Sequence, residues 1–206
     1  MSKYRTDKGI LIEEFMEDAE NPRDEMEHYS KFFTFLNRHR SPDNHNYDDF
    51  GKWLHSIMSH KSACDILRLF AEGDFNGGAR LLIEYAEKRG YVLLPVWKYE
   101  HSGVEYCAAE KNPSNDWFDS CFAGVIYCTK NDLYKNYGKR CSKNVREAAR
   151  CTFRSEVEEY SYYANGEVFQ YCMEGDEPEW ICGFYGGLDV NGAKDYFGIE
   201  NCEIII

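Results

Sequence analysis

Hydrophobic residues in this chain change their spacing at residue 91, and that change narrows the choice of fold. Before it, Phe50, Trp53, Leu54, Ile57 and Met58 recur at i, i+3, i+4, i+7 and i+8, the signature of a helix with one apolar face. Asp48 or Asp49 is placed to cap it. The next helix carries Cys64, Ile66, Leu67, Leu69 and Phe70 and ends at Gly73; Ser62 is its expected cap, with Asp65 replacing the usual Glu of a capping box. A third helix follows Asn76-Gly77-Gly78, turns Leu81, Leu82, Tyr85 and Ala86 inward, and closes on Lys88, Arg89 and Gly90. Upstream, Ile10, Leu11, Ile12, Phe15 and Met16 read as a short amphipathic helix broken by Asn21-Pro22. The run Phe32 to Leu36 reads equally as a buried strand or a helix end.

After residue 90 the pattern turns to strands. Tyr91 to Tyr99 is rich in β-formers, and Pro95 within it marks an edge or a bulge. His101-Ser102-Gly103 is a turn, Val104 to Ala108 a return strand, and Phe122 to Cys128 another strand. Thr129 or Asn131 caps a short helix ending at Gly138. The longest helix is expected from Ser142 to Ala164, with Val145, Ala149, Thr152, Phe153, Val157, Tyr160 and Tyr163 as its stripe and Asn165-Gly166 as its stop. Strands over Glu167–Met173 and Trp180–Tyr185 follow, then a short helix over Val190–Phe197 and the apolar tail Ile204-Ile205-Ile206. Segregated helices with hairpin-joined strands predict an α+β fold. Its expected form is an antiparallel sheet of about five strands, with the long helix packed on one face and a helical N-terminal region ahead of it. Residues 1–90 would form that region and residues 91–206 the α+β domain, unless both are one continuous domain.

Composition limits the class of protein. The 206 residues are 43% hydrophobic and 16% aromatic, which excludes a disordered chain. No apolar run reaches the ~18–20 residues of a membrane span. The first twenty residues lack the apolar core and cleavage site of a secretion signal. The nine cysteines are therefore expected reduced, in a cytoplasm, mostly as small buried hydrophobes.

Charge is the uneven quantity. The net charge is −12. Residues 151–206 hold twelve acids against Arg154 and Lys194 alone, a net of −10. Such a segment repels phosphates and attracts the Lys/Arg channels that hold nucleic acid. The reverse appears over residues 128–150, where seven basic residues face Asp132 and Glu147. That stretch suits a solvated helix face, a phosphate or RNA contact, or internal pairing with the acidic end.

Chemistry-bearing clusters are weak. There is no phosphate loop, dinucleotide fingerprint or zincin motif. His39 and His45, with Asp43 between them, offer a metal or acid–base pair at a spacing that matches no strong site. His101 with Asp119, Ser120 and Cys121 offers a nucleophile, a base and an orienting carboxylate, if the fold brings them together. No cofactor is called for by any of these patterns.

Several blocks together resemble an uncharacterised family widespread in bacteriophages and mobile elements. They are Arg38…His45…Tyr47, His101-Ser102-Gly103, Trp117…Asp119-Ser120…Gly124-Val125-Ile126-Tyr127, Glu156-Val157…Tyr160…Gly166…Val168-Phe169…Tyr171, and Cys182-Gly183-Phe184-Tyr185-Gly186. Here Phe118 interrupts a Trp-Asp-Ser-Gly block that is contiguous in the family, and Cys121-Phe122-Ala123 separate Ser120 from Gly124. The resemblance implies a phage accessory gene, a setting in which small acidic proteins disable host defences. The resulting expectation is an inhibitor of a CRISPR effector or restriction nuclease, touching no nucleic acid directly and no membrane. Glu156, Glu158, Glu159, Glu174, Asp176, Glu177 and Glu179 would meet the target's basic residues, with Trp180 or Tyr162 as anchors. The alternatives are a small accessory enzyme built on the clusters above and a homo-oligomeric structural protein.

Overall fold

Ten consecutive residues from Tyr91 to Glu100 form a strand, and seven of them in a row are buried. A strand buried on both faces must sit inside a sheet and be covered twice. In the computed structural model, which describes residues 1–25, 27–36, 40–114, 118–138 and 140–205, it does. In chain order the elements are β1 (Ser2–Thr6), β2 (Gly9–Phe15), α1 (Pro22–Glu25), β3 (Lys31–Thr34), α2 (Phe50–Ile57), α3 (His60–Ala71), α4 (Phe75–Lys88), β4 (Tyr91–Glu100), β5 (Val104–Ala108), β6 (Ser120–Thr129), α5 (Lys130–Tyr137), α6 (Lys143–Ala164), β7 (Val168–Met173), β8 (Ile181–Tyr185), α7 (Ala193–Phe197) and β9 (Cys202–Ile204). The fold is mixed, broadly α+β, with two antiparallel sheets in place of the one expected.

The chain forms two compact units. One is Met1–Pro22 with Ser161–Ile206; the other is Arg23–Tyr160. The division does not fall at residue 90.

The Arg23–Tyr160 unit holds the four-stranded sheet, in the order β3-β6-β4-β5. Phe33, Leu93 and Val125 face the helices, where Trp53, Leu54, Ala63, Ile66, Leu82 and Ala86 complete the core. The opposite face carries Phe32 and Tyr106, whose rings meet Tyr160 of α6 at 5.4 and 5.6 Å. Of the stripe expected on the long helix, Tyr160 thus meets this face. Pro95 is not at an edge: it pairs with Val125 inside the sheet, and the register slips one residue later, between Val96 and Trp97. The Pro95 carbonyl accepts from Ala109 N–H at 3.1 Å, so its nitrogen faces that same side, away from β6, and the β4–β6 ladder asks no donor of it.

The helix caps show which local signals decide. Asp49 caps α2 through Lys52 N–H, and Thr129 forms a full capping box with Asp132 on α5, which ends at left-handed Gly138. Ser59, not Ser62, caps α3; Ser62 lies three residues on and donates its N–H to it. Asp74 caps α4, so Asn76, Gly77 and Gly78 lie inside the helix. A Cβ on Gly78 would come within 2.6 Å of the Phe70 ring, so the glycine lets α3 and α4 close.

The other unit holds a five-stranded sheet in the order β8-β7-β2-β1-β9. Its core is Leu11, Phe169, Tyr171, Leu188, Ala193 and Ile199. The helix expected over residues 10–16 is strand β2, closed against β1 by a two-residue turn at Asp7-Lys8. The apolar tail also contributes, as β9. Among the described residues, no helix is long and apolar enough to cross a membrane.

Candidate functional site

The topology sorts charge more sharply than the linear sequence does. Segments 1–22 and 161–206 contain four basic residues and fifteen acids, a net of −11; residues 23–160 contain twenty and twenty-one, a net of −1. Nearly all of the chain's −12 therefore resides in the five-stranded unit.

One acid of this unit is taken out of the surface. Glu13 on β2 is 7% exposed and accepts from Tyr171 Oη at 2.7 Å and from Tyr4 Oη at 3.1 Å. Burial first, then the Glu13 charge, pushes the Tyr4 phenol up to about 12 and the Tyr171 phenol higher still. The expected partner-binding acids are on the β7–β8 connection, and Glu174, Asp176, Glu177 and Glu179 are all exposed. Glu174 is engaged by Lys3 Nζ at 2.6 Å. Among the described residues, no ion pair reaches Asp176, Glu177 or Glu179. Trp180 follows them, half-buried, just before β8.

The remaining expected acids belong to the other unit. Glu156 is not a surface contact. It is 8% exposed and lies in a buried network. Arg23 donates to Glu156 at 2.6 Å and clamps Asp43 with two bonds of 2.8 and 2.9 Å; Ser30 donates to the same Glu156 oxygen, and His28 Nδ1 lies 3.3 Å from the other. Asp43 in turn accepts from Phe32 N–H at 2.8 Å, which ties the network to β3. Burial alone raises the Glu156 carboxyl; the bonds from His28 and Ser30 and the charge of Arg23 together bring it below the ordinary glutamate value. Glu159 is half-buried, and burial raises its carboxyl, while Glu158 is exposed. Of the basic stretch ahead of them, Arg150 pairs within its own unit, with Glu87 and Glu147, and Arg154 beyond it also reaches Glu147.

Of the nucleophile cluster expected at His101, Asp119, Ser120 and Cys121, the structure pairs the first two. His101 Nδ1 lies 3.3 Å from Asp119, but the histidine is 72% exposed in a turn. Ser120 is buried, accepts from Asn112 Nδ2 at 2.7 Å, and lines a cleft of about 270 Å³ with Trp97, Lys98, Glu105, Cys107 and Asn112. Neither His101 nor Asp119 lines that cleft. Cys121 is the neighbour of Ser120 on β6, so it points to the opposite face. Partial burial pushes its thiol up against the opposing pull of Lys98, so it is no activated thiolate.

Of the metal pair expected at His39 and His45, His45 alone can be placed. His39 lies outside the described residues. The His45 ring is spent internally: Nε2 donates to the Thr34 carbonyl at 3.2 Å, and Nδ1 accepts from Tyr47 N–H at 3.3 Å. Its ring also packs on Phe33 and Phe35 at 4.8 and 5.2 Å. A different group gathers metal-type donors, namely His55, His60 and Cys64, whose ligand atoms all lie within 4.8 Å of one another. The signal for it in the sequence is His60 and Cys64 at i, i+4 on one helix face, with His55 in the last turn of the helix before.

No protein-family profile, curated protein or solved structure matches the chain.

Proposed function

We propose that this chain is a binding inhibitor of a host nuclease that acts on nucleic acid, of anti-CRISPR or antirestriction type, and that its five-stranded unit is the part that docks. The observation that supports this reading is the net charge of −11 on that unit, with Asp176, Glu177 and Glu179 exposed on one connection and in no ion pair among the described residues. A groove built to hold phosphates offers such carboxylates the same lysines and arginines. The phage-type blocks in the sequence supply the setting. Glu156 has no part in the contact, and Glu174 contributes less than its neighbours because Lys3 already engages it.

The test is inhibition of purified CRISPR and restriction nucleases, with DNA cleavage as the readout, for the native chain and for the triple variant Asp176→Lys, Glu177→Lys, Glu179→Lys. The expected result is inhibition that weakens with salt and with added competitor DNA, and that the triple variant loses while its folded spectrum is unchanged. Equal inhibition by the triple variant, or inhibition insensitive to salt, overturns the proposal.

A further inference from the structure

The turn between α2 and α3 brings together three donors that the core does not need. Met58 ends α2 in an extended conformation, with its N–H still bonded to the Leu54 carbonyl at 2.9 Å, and Ser59 caps α3 at once. The connection is so short that the last turn of α2 meets the first turns of α3. Trp53, Leu54, Ala63 and Ile66 are buried and fix both helix ends to the sheet. Their neighbours in sequence, His55 and Cys64, must then point outward, and His60 joins them on the exposed side. The three side chains converge there: the His55 and His60 rings lie 5.0 Å apart and nearly parallel, and Cys64 Sγ lies 3.6 Å from His60 Nε2.

We propose that His55, His60 and Cys64 form a zinc site with three protein ligands and an open fourth position. The distances carry the argument. With Zn–N near 2.0–2.1 Å and Zn–S near 2.3 Å, the edge between a nitrogen and a sulfur of a tetrahedral site is about 3.6 Å. The Cys64–His60 pair already has that separation. The remaining separations, up to 4.8 Å, close by side-chain rotation alone, since all three residues are exposed. Two imidazoles and a thiolate form a donor set that favours zinc over the hard cations magnesium and calcium. An i, i+4 pair on one helix with a third ligand from the preceding helix presents a half-formed cage, so the metal orders few side chains on binding. The solvent-facing side leaves the fourth position to water or to a side chain from a partner. Binding releases the Cys64 proton, so affinity rises with pH. The site lies within the Arg23–Tyr160 unit and is independent of the acidic unit.

Zinc titration of the full chain, stripped with a chelator and kept reduced, tests this against His55→Ala, His60→Ala, Cys64→Ser and the control Cys151→Ser, which removes another exposed thiol. The expected result is saturation near one equivalent, weakened at least about tenfold in each of the three ligand variants and unchanged in the control. With Co²⁺ as the probe, a thiolate-to-metal absorption band should appear in the native chain and vanish in Cys64→Ser. Spectra of the metal-free variants should match the native chain, because none of the three side chains is buried. Absence of saturable uptake, or native-like binding by any one of the three variants, overturns the site.

Discussion

Glu156 shows how little a charged residue's name says about its role. Its carboxylate is one of twelve in the last quarter of the chain, yet it is surrounded by donors from Arg23, Ser30 and His28. Removing one member of such a buried ionic network leaves the others unpaired. Glu156→Ala is therefore expected to cost about 3–5 kcal/mol, measured by urea unfolding, while a charge-removing change at exposed Glu158 costs less than about 0.5 kcal/mol. The pH dependence follows from the lowered carboxyl. Around and below the ordinary glutamate value the unfolded chain binds more protons at this position than the folded one. The stabilisation is thus complete above that value and drains away as pH falls through the folded one. Glu156→Gln should flatten that part of the acid limb. A native-like acid limb in Glu156→Gln would show that other carboxylates set it. The decisive partner, Arg23, lies 133 residues away, so no local pattern distinguished this acid from those on the surface. His45 is occupied partly from nearby, by Tyr47 N–H two residues on, and partly by the Thr34 carbonyl, which only the folding of β3 brings to it.

Elements were legible where their signals were local. Helices α2, α3, α4 and α6 announced themselves by apolar spacing, and α5 by its cap candidates and its closing Gly138; of Thr129 and Asn131, it is Thr129 that caps, and the reciprocal bond from Asp132 went unread. Strand β2 did not, because Ile10 to Phe15 is too short for periodicity to separate strand from helix, and its partner β7 lies more than 150 residues on. The four-stranded sheet depends on a residue whose importance is invisible in sequence. Gly124 on β6 pairs with Thr34 of β3, and a Cβ there would lie 2.0 Å from the Phe33 carbonyl oxygen and 2.8 Å from the Thr34 Cα. Both are backbone atoms and cannot swing aside. Gly124→Ala is expected to cost about 3 kcal/mol or more, the upper part of the range for an overfilled core. Hydrogen exchange should show the loss first at Phe35 N–H, whose bond to the Ala123 carbonyl extends the β3–β6 ladder. Gly175→Ala, where no atom lies within 4 Å of the added carbon, should stay within about 0.5 kcal/mol. Equal stability of the two variants would mean that β3 is free to shift.

At the scale of the whole molecule, the division of charge is a cost as well as a recognition device. Counting along the sequence puts −10 on residues 151–206, but only the topology adds the first strands to them and isolates a unit of 68 residues carrying −11. Like charges at that density repel one another and oppose the compact state, whereas the near-neutral unit gains nothing comparable from screening. Salt should therefore act on the two units differently. Raising ionic strength from about 0.01 to 0.15 M shortens the screening length from about 30 to 8 Å. Amides of β2 and β7 are expected to exchange more slowly by roughly fivefold, equivalent to about 1 kcal/mol, with those of β4 and β6 nearly unchanged. The same carboxylates that resist folding at low salt are those offered to a basic groove, so docking should weaken over the range in which the unit itself becomes more stable. Uniform slowing across both sheets would show that the repulsion is not confined to the five-stranded unit, and would remove the physical reason for assigning docking to it.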